Sequence, residues 1–497
     1  MNLNSHVEVP DATDGRRAPA ANREVPLVVD LDGTLIRSDL LIETFLALLA
    51  VRPADALASL RALRNGRAAF KASLALYDLI DFGALPFNDE VLTFIRQEHE
   101  KGREIHLVTA ADERLAKAVA QEVGLFVDSQ GSSGDTNLAG TEKARFVCET
   151  FGSQQFDYIG NSASDIPVWQ HARHKIVVDA PPSVVKSLRK FAPDAVILSE
   201  ICPRDRRASL IRAHRPHQWF KNVLVFLPLL TAHRFDFGAL VAACMGFVAF
   251  SLAASSAYLL NDLVDLQHDR KHHSKRHRPI ASGRVSLTHA ALLTPLLALA
   301  SAGIALALSP QFLSVIAIYY TATISYSLYL KRLLLVDVFV LAFLYCIRVF
   351  GGAVATSIVI SPWLVAFCMF LFLALAVIKR LTELVKIQGK RGTGSHGRAY
   401  ETSDIQALIG IAAASGFSAT IVLALYITSD AVLSLYRTPA ALWVLCPLLL
   451  FWNTRILLLT MREQMNDDPV VFALKDRTSH IIGVMVLIVL TAGASIL

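Results

Sequence analysis

The residues with the most evident chemistry in this chain are Asn261-Asp262-Leu263-Val264-Asp265-Leu266-Gln267-His268-Asp269. They close the long apolar segment 238–260. On a helix at about 100° per residue, Asn261, Asp262, Asp265 and Asp269 fall within one arc of about 100°. Carboxylates so placed repel one another unless water or a divalent cation lies among them. Arg270, Lys271, Lys275, Arg276 and Arg278 follow directly. Hard oxygen donors suited to Mg2+, beside a cluster of cations, fit a diphosphate. The bland alternative is a solvated charged loop between two membrane helices; the acidic spacing at the mouth of an apolar helix favours the functional reading.

A second acidic constellation lies near the N-terminus, in Val25-Pro26-Leu27-Val28-Val29-Asp30-Leu31-Asp32-Gly33-Thr34-Leu35. A short apolar strand there delivers two aspartates to a glycine turn. Alternation puts residues i and i+2 on one side. One carboxylate can then attack phosphorus while its neighbour protonates the leaving oxygen.

The elements that carry these groups differ in kind. The chain has 497 residues, a net charge of +6 and 54% hydrophobic residues. Mean hydropathy is +0.45. That indicates a membrane protein, but unevenly: residues 1–210 have apolar runs of core-strand length, whereas long apolar segments dominate from 219 onward. Nine membrane helices are expected, near 219–233, 238–260, 287–308, 311–330, 333–354, 362–379, 405–427, 440–460 and 479–496. With the N-terminal part in the cytoplasm, nearly all loop cations fall inside, and only Arg234 and Arg437 fall outside. The positive-inside rule then places the aspartate motif in the cytoplasm and the C-terminus outside. The charge excess is thereby explained by cytoplasmic loops, and no basic-aromatic platform for nucleic acid is present. Cysteines 148, 202, 244, 346, 368 and 446 are scattered, so neither a disulfide framework nor a zinc site follows. Residues 1–24 are polar, which predicts a disordered tail and no cleaved signal peptide.

The aspartate stretch resembles the first aspartate-rich motif of the UbiA-type intramembrane prenyltransferases, over about residues 210–497. Arg215-Pro216-His217-Gln218-Trp219-Phe220-Lys221-Asn222, Lys275-Arg276-His277-Arg278-Pro279-Ile280 and Tyr326-Ser327-Leu328-Tyr329-Leu330-Lys331 resemble one branch, the polyprenyl-phosphate phosphoribosyltransferases. The resemblance implies an all-α, nine-helix domain that binds a diphosphate through Mg2+ held by Asp262, Asp265 and Asp269, with Asp262 and Asp265 in the catalytic set. The substrates implied are phosphoribosyl pyrophosphate (PRPP) and a polyprenyl (for instance decaprenyl) phosphate. Lys221, Asn222, Asn261, Lys275, Arg276, Arg278, Tyr326 and Lys331 are the matching substrate-binding candidates.

Many UbiA-type enzymes carry a second acidic motif in the loop that corresponds to 379–404. Here that loop reads Lys379-Arg380-Leu381-Thr382-Glu383-Leu384, then Lys386, Lys390, Arg391, Arg398, Tyr400 and Asp404. One acidic motif plus one basic loop suits one Mg2+-diphosphate and one monophosphate. Lys379, Arg380, Lys386 and Arg398 are therefore expected at the lipid phosphate, with Glu383 and Tyr400 beside them. A positive-inside loop explains some of these cations but not Glu383, Tyr400 and Asp404. Asp337 and Arg348, eleven positions apart, share a helical face within the membrane, where charges are paired or functional. Arg348 is carried as a substrate-binding candidate, with a structural ion pair as the equal alternative.

Asp30-x-Asp32-Gly33-Thr34-Leu35 resembles the signature of the haloacid dehalogenase (HAD) phosphohydrolases. The resemblance extends to Ile105-His106-Leu107-Val108-Thr109-Ala110, read as a strand ending in a hydroxyl, to Lys143, and to Gly160-Asn161-Ser162-Ala163-Ser164-Asp165. It implies Asp30 as nucleophile, Asp32 as general acid, Thr109 and Lys143 on the phosphoryl oxygens, and Asp30, Asp32 and Asp165 around Mg2+. Asn161 stands where the family commonly has Asp, one charge fewer, and a decayed docking scaffold is the competing view. The expected organisation is a tail (1–24), a doubly wound α/β domain with a helical cap (25–195), a basic junction (196–216) and the membrane domain (217–497). The whole reads as a Mg2+-dependent, multi-pass enzyme of a bacterial inner membrane that adds 5-phosphoribose to a polyprenyl phosphate. Its N-terminal domain would then remove the 5-phosphate. A second copy of the chain is the one protein partner considered. The alternatives are transfer of a prenyl chain from its diphosphate to an aromatic acceptor, and a transporter or lipid-binding protein with a HAD regulator.

Overall fold

The computed structural model describes residues 25–77, 79–133, 136–200, 202–389, 399–430, 432, 436–465 and 468–494. The tail 1–24 and the loop cations Lys390, Arg391 and Arg398 lie outside the described residues. The chain divides into two compact units. One comprises Met1–Arg206 with Val264–Leu287, the other Arg207–Leu263 with Thr288–Leu497.

The first unit is built on a six-stranded sheet in the order β3-β2-β1-β4-β5-β6. Its strands are β1 (Leu27–Val29), β2 (Ile105–Asp112), β3 (Asp128–Ser132), β4 (Asp157–Gly160), β5 (Lys175–Val178) and β6 (Val196–Ser199). All neighbours pair in parallel, with Val29 opposite both Leu107 and Ile159. β1 reads Leu-Val-Val because a central parallel strand is covered on both faces. Leu27 and Val29 point to one side, against Val91 and Ile95 of the helix Asp89–Glu100. Val28 points to the other, with Val147 and Leu188. The strand order reverses on either side of β1, so a crevice opens at its C-terminal end, where Asp30 and Asp32 emerge. β6 adds residues of the stretch read as junction to the sheet. Between β1 and β2 the chain forms helices α1 (Leu40–Val51), α2 (Arg67–Leu74) and α3 (Asp89–Glu100). Asp39 caps α1 by accepting from Ile42 N at 3.1 Å.

The second unit is helical. Among the described residues, six helices are long and apolar enough to cross a membrane: Phe237–Val264, Leu287–Leu308, Val336–Thr356, Pro362–Gly389, Thr402–Ile427 and Pro439–Met461. Pro310–Leu328 and Arg477–Ala494 are further apolar helices. The stretch expected to form the first span is instead a 3-10 helix, Pro216–Phe226, followed by the short helix Leu227–Thr231. Large apolar side chains such as Leu292, Leu299, Ile421 and Ile488 are exposed, as lipid-facing positions are. The interior is a cluster around Tyr345, Phe372, Leu381 and Ile456.

One expectation needs correction. Asn261, Asp262, Asp265 and Asp269 do not lie on a single helix. Phe237–Val264 ends, Asp265 turns (φ −84°, ψ 7°), and a new short helix runs Leu266–Lys271. A continuous helix would stack these carboxylates at i, i+3 and i+4, where like charges destabilise it. Asp also suits the N-cap position that Asp265 takes.

Candidate active sites

In the first unit, the end of β1 places Asp30 and Asp32 on either side of Leu31. Asp30 is buried, and its Oδ1 accepts from Lys143 Nζ at 2.6 Å. Lys143 projects from the helix Thr141–Phe151 and also stands 3.7 Å from Asp165 Oδ1. Thr34 Oγ1 donates to Asp30 Oδ2 at 3.2 Å. Asp165 follows β4 on a short 3-10 turn, where its Oδ2 accepts from the backbone of Asn161 and Ser162. Its Oδ1 accepts from Tyr158 OH at 2.6 Å. Asn161 lies against Gly33 so closely that a Cβ there would be 2.1 Å from Nδ2, and Gly33 has φ +76°. Both facts require glycine at that turn. Thr109 is fully buried, with Oγ1 accepting from Ala111 N. β2 does not end at this hydroxyl but runs on to Asp112, with a register shift against β3 after Val108.

The two aspartates sit in different electrostatic settings. Burial pushes the Asp30 carboxyl up to about 6, with Lys143 opposing the rise and Asp165 adding to it. Asp32 is held well above the usual range, by burial first and by Asp39 second, while Leu40 N donates to its Oδ1 at 2.9 Å. Two neighbouring carboxyls whose surroundings differ in this way could divide the work of acid and nucleophile between them. Three residues here escaped the sequence reading. Thr34 and Tyr158 orient the carboxylates. Lys71 on α2 donates to Ala110 O at 2.6 Å and to Asn137 Oδ1 at 2.9 Å. The Thr in Asp-Gly-Thr was the available signal for the first, and nothing in the helical stretch singled out Lys71.

The aspartate motif was read as one constellation, and its members are held as follows. In the first unit, Asp269 is buried and accepts from Arg278 Nη1 at 2.5 Å, with Lys275 Nζ at 4.0 Å. Asp265 is half-buried, and Arg276 is exposed. In the second unit, Asp262 is buried and its Oδ1 accepts from Arg215 Nη2 at 2.6 Å, while Asn261 is half-buried. Among the described residues no three His, Cys, Asp or Glu side chains are grouped closely enough to hold a metal ion by themselves.

The interior of the second unit sorts the remaining candidates. Lys221 Nζ donates to Asp468 Oδ2 at 2.6 Å and Lys379 Nζ to the same oxygen at 3.3 Å. Burial would push the Asp468 carboxyl up, but the two ammoniums outweigh it and hold the group below the ordinary carboxylate range. Asp468 was missed; the Asp-Pro pair Asp468-Pro469 in a loop between two apolar helices was its only mark. Asn222 is fully buried, donating to Ser251 Oγ and accepting from Arg348 Nε. Arg348 also donates to Tyr319 OH and to Leu344 O. The structural ion pair considered for Asp337 and Arg348 is therefore not formed between these two. Asp337 instead accepts from Arg380 Nε and Tyr400 OH, both at 2.5 Å. Arg380, 1% exposed, also donates to Glu383 and to Tyr326 OH. Lys331 and Lys386 are half-buried. Helix periodicity puts Asp337 and Arg348 on one face but says nothing about which neighbouring helix offers the better partner.

This network carries a testable consequence. Arg380 and Asp337 are both shielded from solvent, so removing one leaves the other's charge buried at a cost of about 3–5 kcal/mol. Arg380→Met and Asp337→Asn should each lower the thermal midpoint of the detergent-solubilised protein by many degrees. The double variant should melt close to the worse single variant. Melting points unchanged from wild type would show that the pair does not support the fold.

The helices also border an apolar cavity of about 990 Å3. Phe220, next to Lys221, and Val470, next to the Asp468–Pro469 turn, belong to its wall, with Leu364, Trp452, Ile482 and Leu487 further along.

Comparison with known proteins agrees with both halves of this description. Residues 223–475 match the UbiA prenyltransferase family, and residues 27–170 match the haloacid dehalogenase-like hydrolases. An uncharacterized protein of Sinorhizobium fredii, y4nM, is 36% identical over 467 residues, covering 94% of this chain and 90% of that protein. The nodulation protein NoeC of Azorhizobium caulinodans is 33% identical over 271 residues, 54% of this chain and 87% of NoeC. The decaprenyl-phosphate phosphoribosyltransferase of Mycobacterium tuberculosis is 37% identical over 187 residues. That alignment covers 37% of this chain and 62% of the relative.

Proposed function

We propose, for a chain that belongs to the UbiA prenyltransferase family and carries a HAD-like hydrolase domain ahead of it, a two-step modification of a membrane lipid. In the first step 5-phosphoribose passes from PRPP to a polyprenyl phosphate. A phosphate oxygen of the lipid attacks the anomeric carbon, the bond to pyrophosphate breaks, and pyrophosphate departs. In the second, the N-terminal domain hydrolyses the 5-phosphate from the lipid-linked ribose. The membrane part crosses the bilayer several times, with the N-terminal domain and both sites in the cytoplasm of a bacterial cell.

The observation that carries the reading is the separation of acidic and basic character in the transferase residues. The aspartates Asp262 and Asp269 are each met by an arginine, Arg215 and Arg278. Their oxygen-only donor set, with Asp265, fits a hard divalent cation such as Mg2+. Bound there, the cation would neutralise charge on the departing pyrophosphate. Asn261, Lys275, Arg276 and Arg278 bind the diphosphate and ribose. Where a second acidic motif would favour a prenyl diphosphate stands Lys379, which shares Asp468 with Lys221, and Phe220 and Val470, chain neighbours of Lys221 and of Pro469, line an apolar cavity. Two ammoniums and a greasy channel suit a lipid monophosphate. Lys386 extends this basic surface, and Arg398, outside the described residues, is assigned to the lipid phosphate from its place in the sequence alone. Arg380, Glu383, Tyr326, Tyr400, Asn222 and Arg348 hold the helices around it. Lys331 serves at the cytoplasmic edge. In the hydrolase domain, Asp30, Asp32 and Asp165 supply oxygen donors of the same hard type, with Asn161 a neutral one. The name of the mycobacterial relative gives the same kind of acceptor, a polyprenyl phosphate, and the same transferred group, a phosphoribosyl. We place the hydrolase domain near 25–199, so that it includes β6, and the membrane domain near 217–497, joined by the stretch 200–216.

The donor decides the matter. Membranes carrying the protein should release pyrophosphate from PRPP and form lipid-extractable label when given radiolabelled PRPP and polyprenyl phosphate. Farnesyl or geranylgeranyl diphosphate with 4-hydroxybenzoate should give no product. Robust prenylated aromatic product, without transfer from PRPP, would overturn the assignment in favour of a conventional prenyltransferase.

A further inference from the structure

The segment Val264–Leu287, which carries Asp265 and Asp269, belongs to the same compact unit as the N-terminal domain. One side chain does most to fasten it. Glu43 lies in the first turn of α1, after Asp39, and is completely buried. Its Oε1 accepts from Arg270 Nη2 at 2.6 Å and its Oε2 from Gln267 Nε2 at 3.2 Å. Arg270 is itself buried and donates from Nε to Ala281 O, so it ties the short helix Leu266–Lys271 to the return of the same loop. Three further contacts support the attachment. Ser38 donates to Glu43, Lys271 pairs with Asp81 at 2.8 Å, and Gly283 packs on the Arg37 carbonyl so closely that a Cβ would be 2.3 Å from its oxygen.

We propose that Glu43 is a positioning residue for the transfer reaction, setting the direction of Asp269 through Arg270. The inference rests on the reading of Asp265 and Asp269 as transferase residues. Adjacent positions on a helix are about 100° apart, so anchoring Arg270 on one side fixes where Asp269 points on the other. Asp269 there meets Arg278. A buried carboxylate paired with a buried guanidinium is a poor source of net stability but a strict geometric constraint. A surface salt bridge would not hold the segment in one orientation. The helix that bears Glu43 also starts on the hydrolase site, because Leu40 N donates to Asp32. The hydrolase fold thereby serves the transferase as a scaffold, apart from any chemistry of its own.

The test uses the full-length protein in nanodiscs, with Glu43→Gln, Arg270→Met and the double variant. Hydrogen exchange is read for residues 264–287 and for β1, β2 and β4, and phosphoribosyl transfer is measured against PRPP concentration. Loss of an outer positioning partner commonly costs about 10–100-fold in activity. Each single variant should lose transfer in that range, with faster exchange in 264–287, unchanged exchange in the strands, and no further loss in the double variant. Rescue should follow from Glu43→Asp in part, because the charge is kept at a shorter reach. Unchanged exchange in 264–287 in Glu43→Gln overturns the proposal, and so does faster exchange spread equally over the strands. The exchange result stands even if wild type transfers nothing from PRPP, an outcome that would overturn the functional reading instead.

Discussion

Full-length protein carrying Asp265→Asn is expected to lose phosphoribosyl transfer by about 100-fold or more while remaining folded and membrane-inserted. The magnitude follows from removing one hard anionic donor at a site where charge develops on the leaving group; single electrostatic deletions of this kind cost about 10²–10³ in turnover. The fold is expected to survive because Asp265 stands half-exposed at the turn between two helices. An amide of the same size fits there, and Asn is as good as Asp at an N-cap. Asp262 and Asp269 are worse choices, since each is buried against an arginine and its loss would also disturb the structure. The decisive measurement is turnover at limiting Mg2+, with membrane insertion checked by fractionation. Near wild-type turnover would remove the motif from the diphosphate site.

The second large effect concerns the product. Wild type should accumulate lipid-phosphate-ribose, whereas Asp30→Asn should accumulate the same lipid carrying a 5-phosphate, a difference read directly by mass. On the proposed reading, Asp30 attacks phosphorus, Asp32 protonates the departing ribose oxygen, water then releases phosphate from Asp30 with Asp32 taking its proton, and Thr109 and Lys143 steady the phosphoryl oxygens. Tethering to the transferase raises the local concentration of the intermediate without a channel. The environment of the pair also sets the pH dependence. Asp30 is pushed up to about 6, so the nucleophile gains its charge, and hydrolysis rises, as pH climbs through that value. Asp32 is pushed up by burial first and by Asp39 second, which favours the protonated form that a general acid needs. Equal accumulation of 5-phosphorylated lipid by wild type and Asp30→Asn would separate the hydrolase domain from this intermediate.

The division into a strand-rich half and an apolar helical half was legible in the sequence, because burial on two faces and passage through lipid each demand long-range composition that shows in a single chain. Leu27-Val28-Val29 before Asp30 reads as a central parallel strand for that reason, and the sheet has it there. The identities of Asp30, Asp32, Lys143 and Asp165 were readable too. Only the sheet order, with β1 between β2 and β4, explains how side chains so far apart along the chain come within hydrogen-bonding distance. Partnership was the part the sequence could not contain. Periodicity set Asp337 and Arg348 on one face, but pairing depends on the helix that lies opposite, and that helix offered Arg380 to the first, while Asn222 and Tyr319 took the second. The helix expected to carry all four acidic-motif residues breaks at Asp265, where repulsion between stacked carboxylates opposes a simple 3.6-residue period. Asp468 and Glu43 went unnoticed because a lone acidic residue in a loop or on a helix has no local signature. Its meaning comes from cations brought to it from elsewhere in the chain, Lys221 and Lys379 to one, Arg270 to the other, and only the tertiary structure decides that.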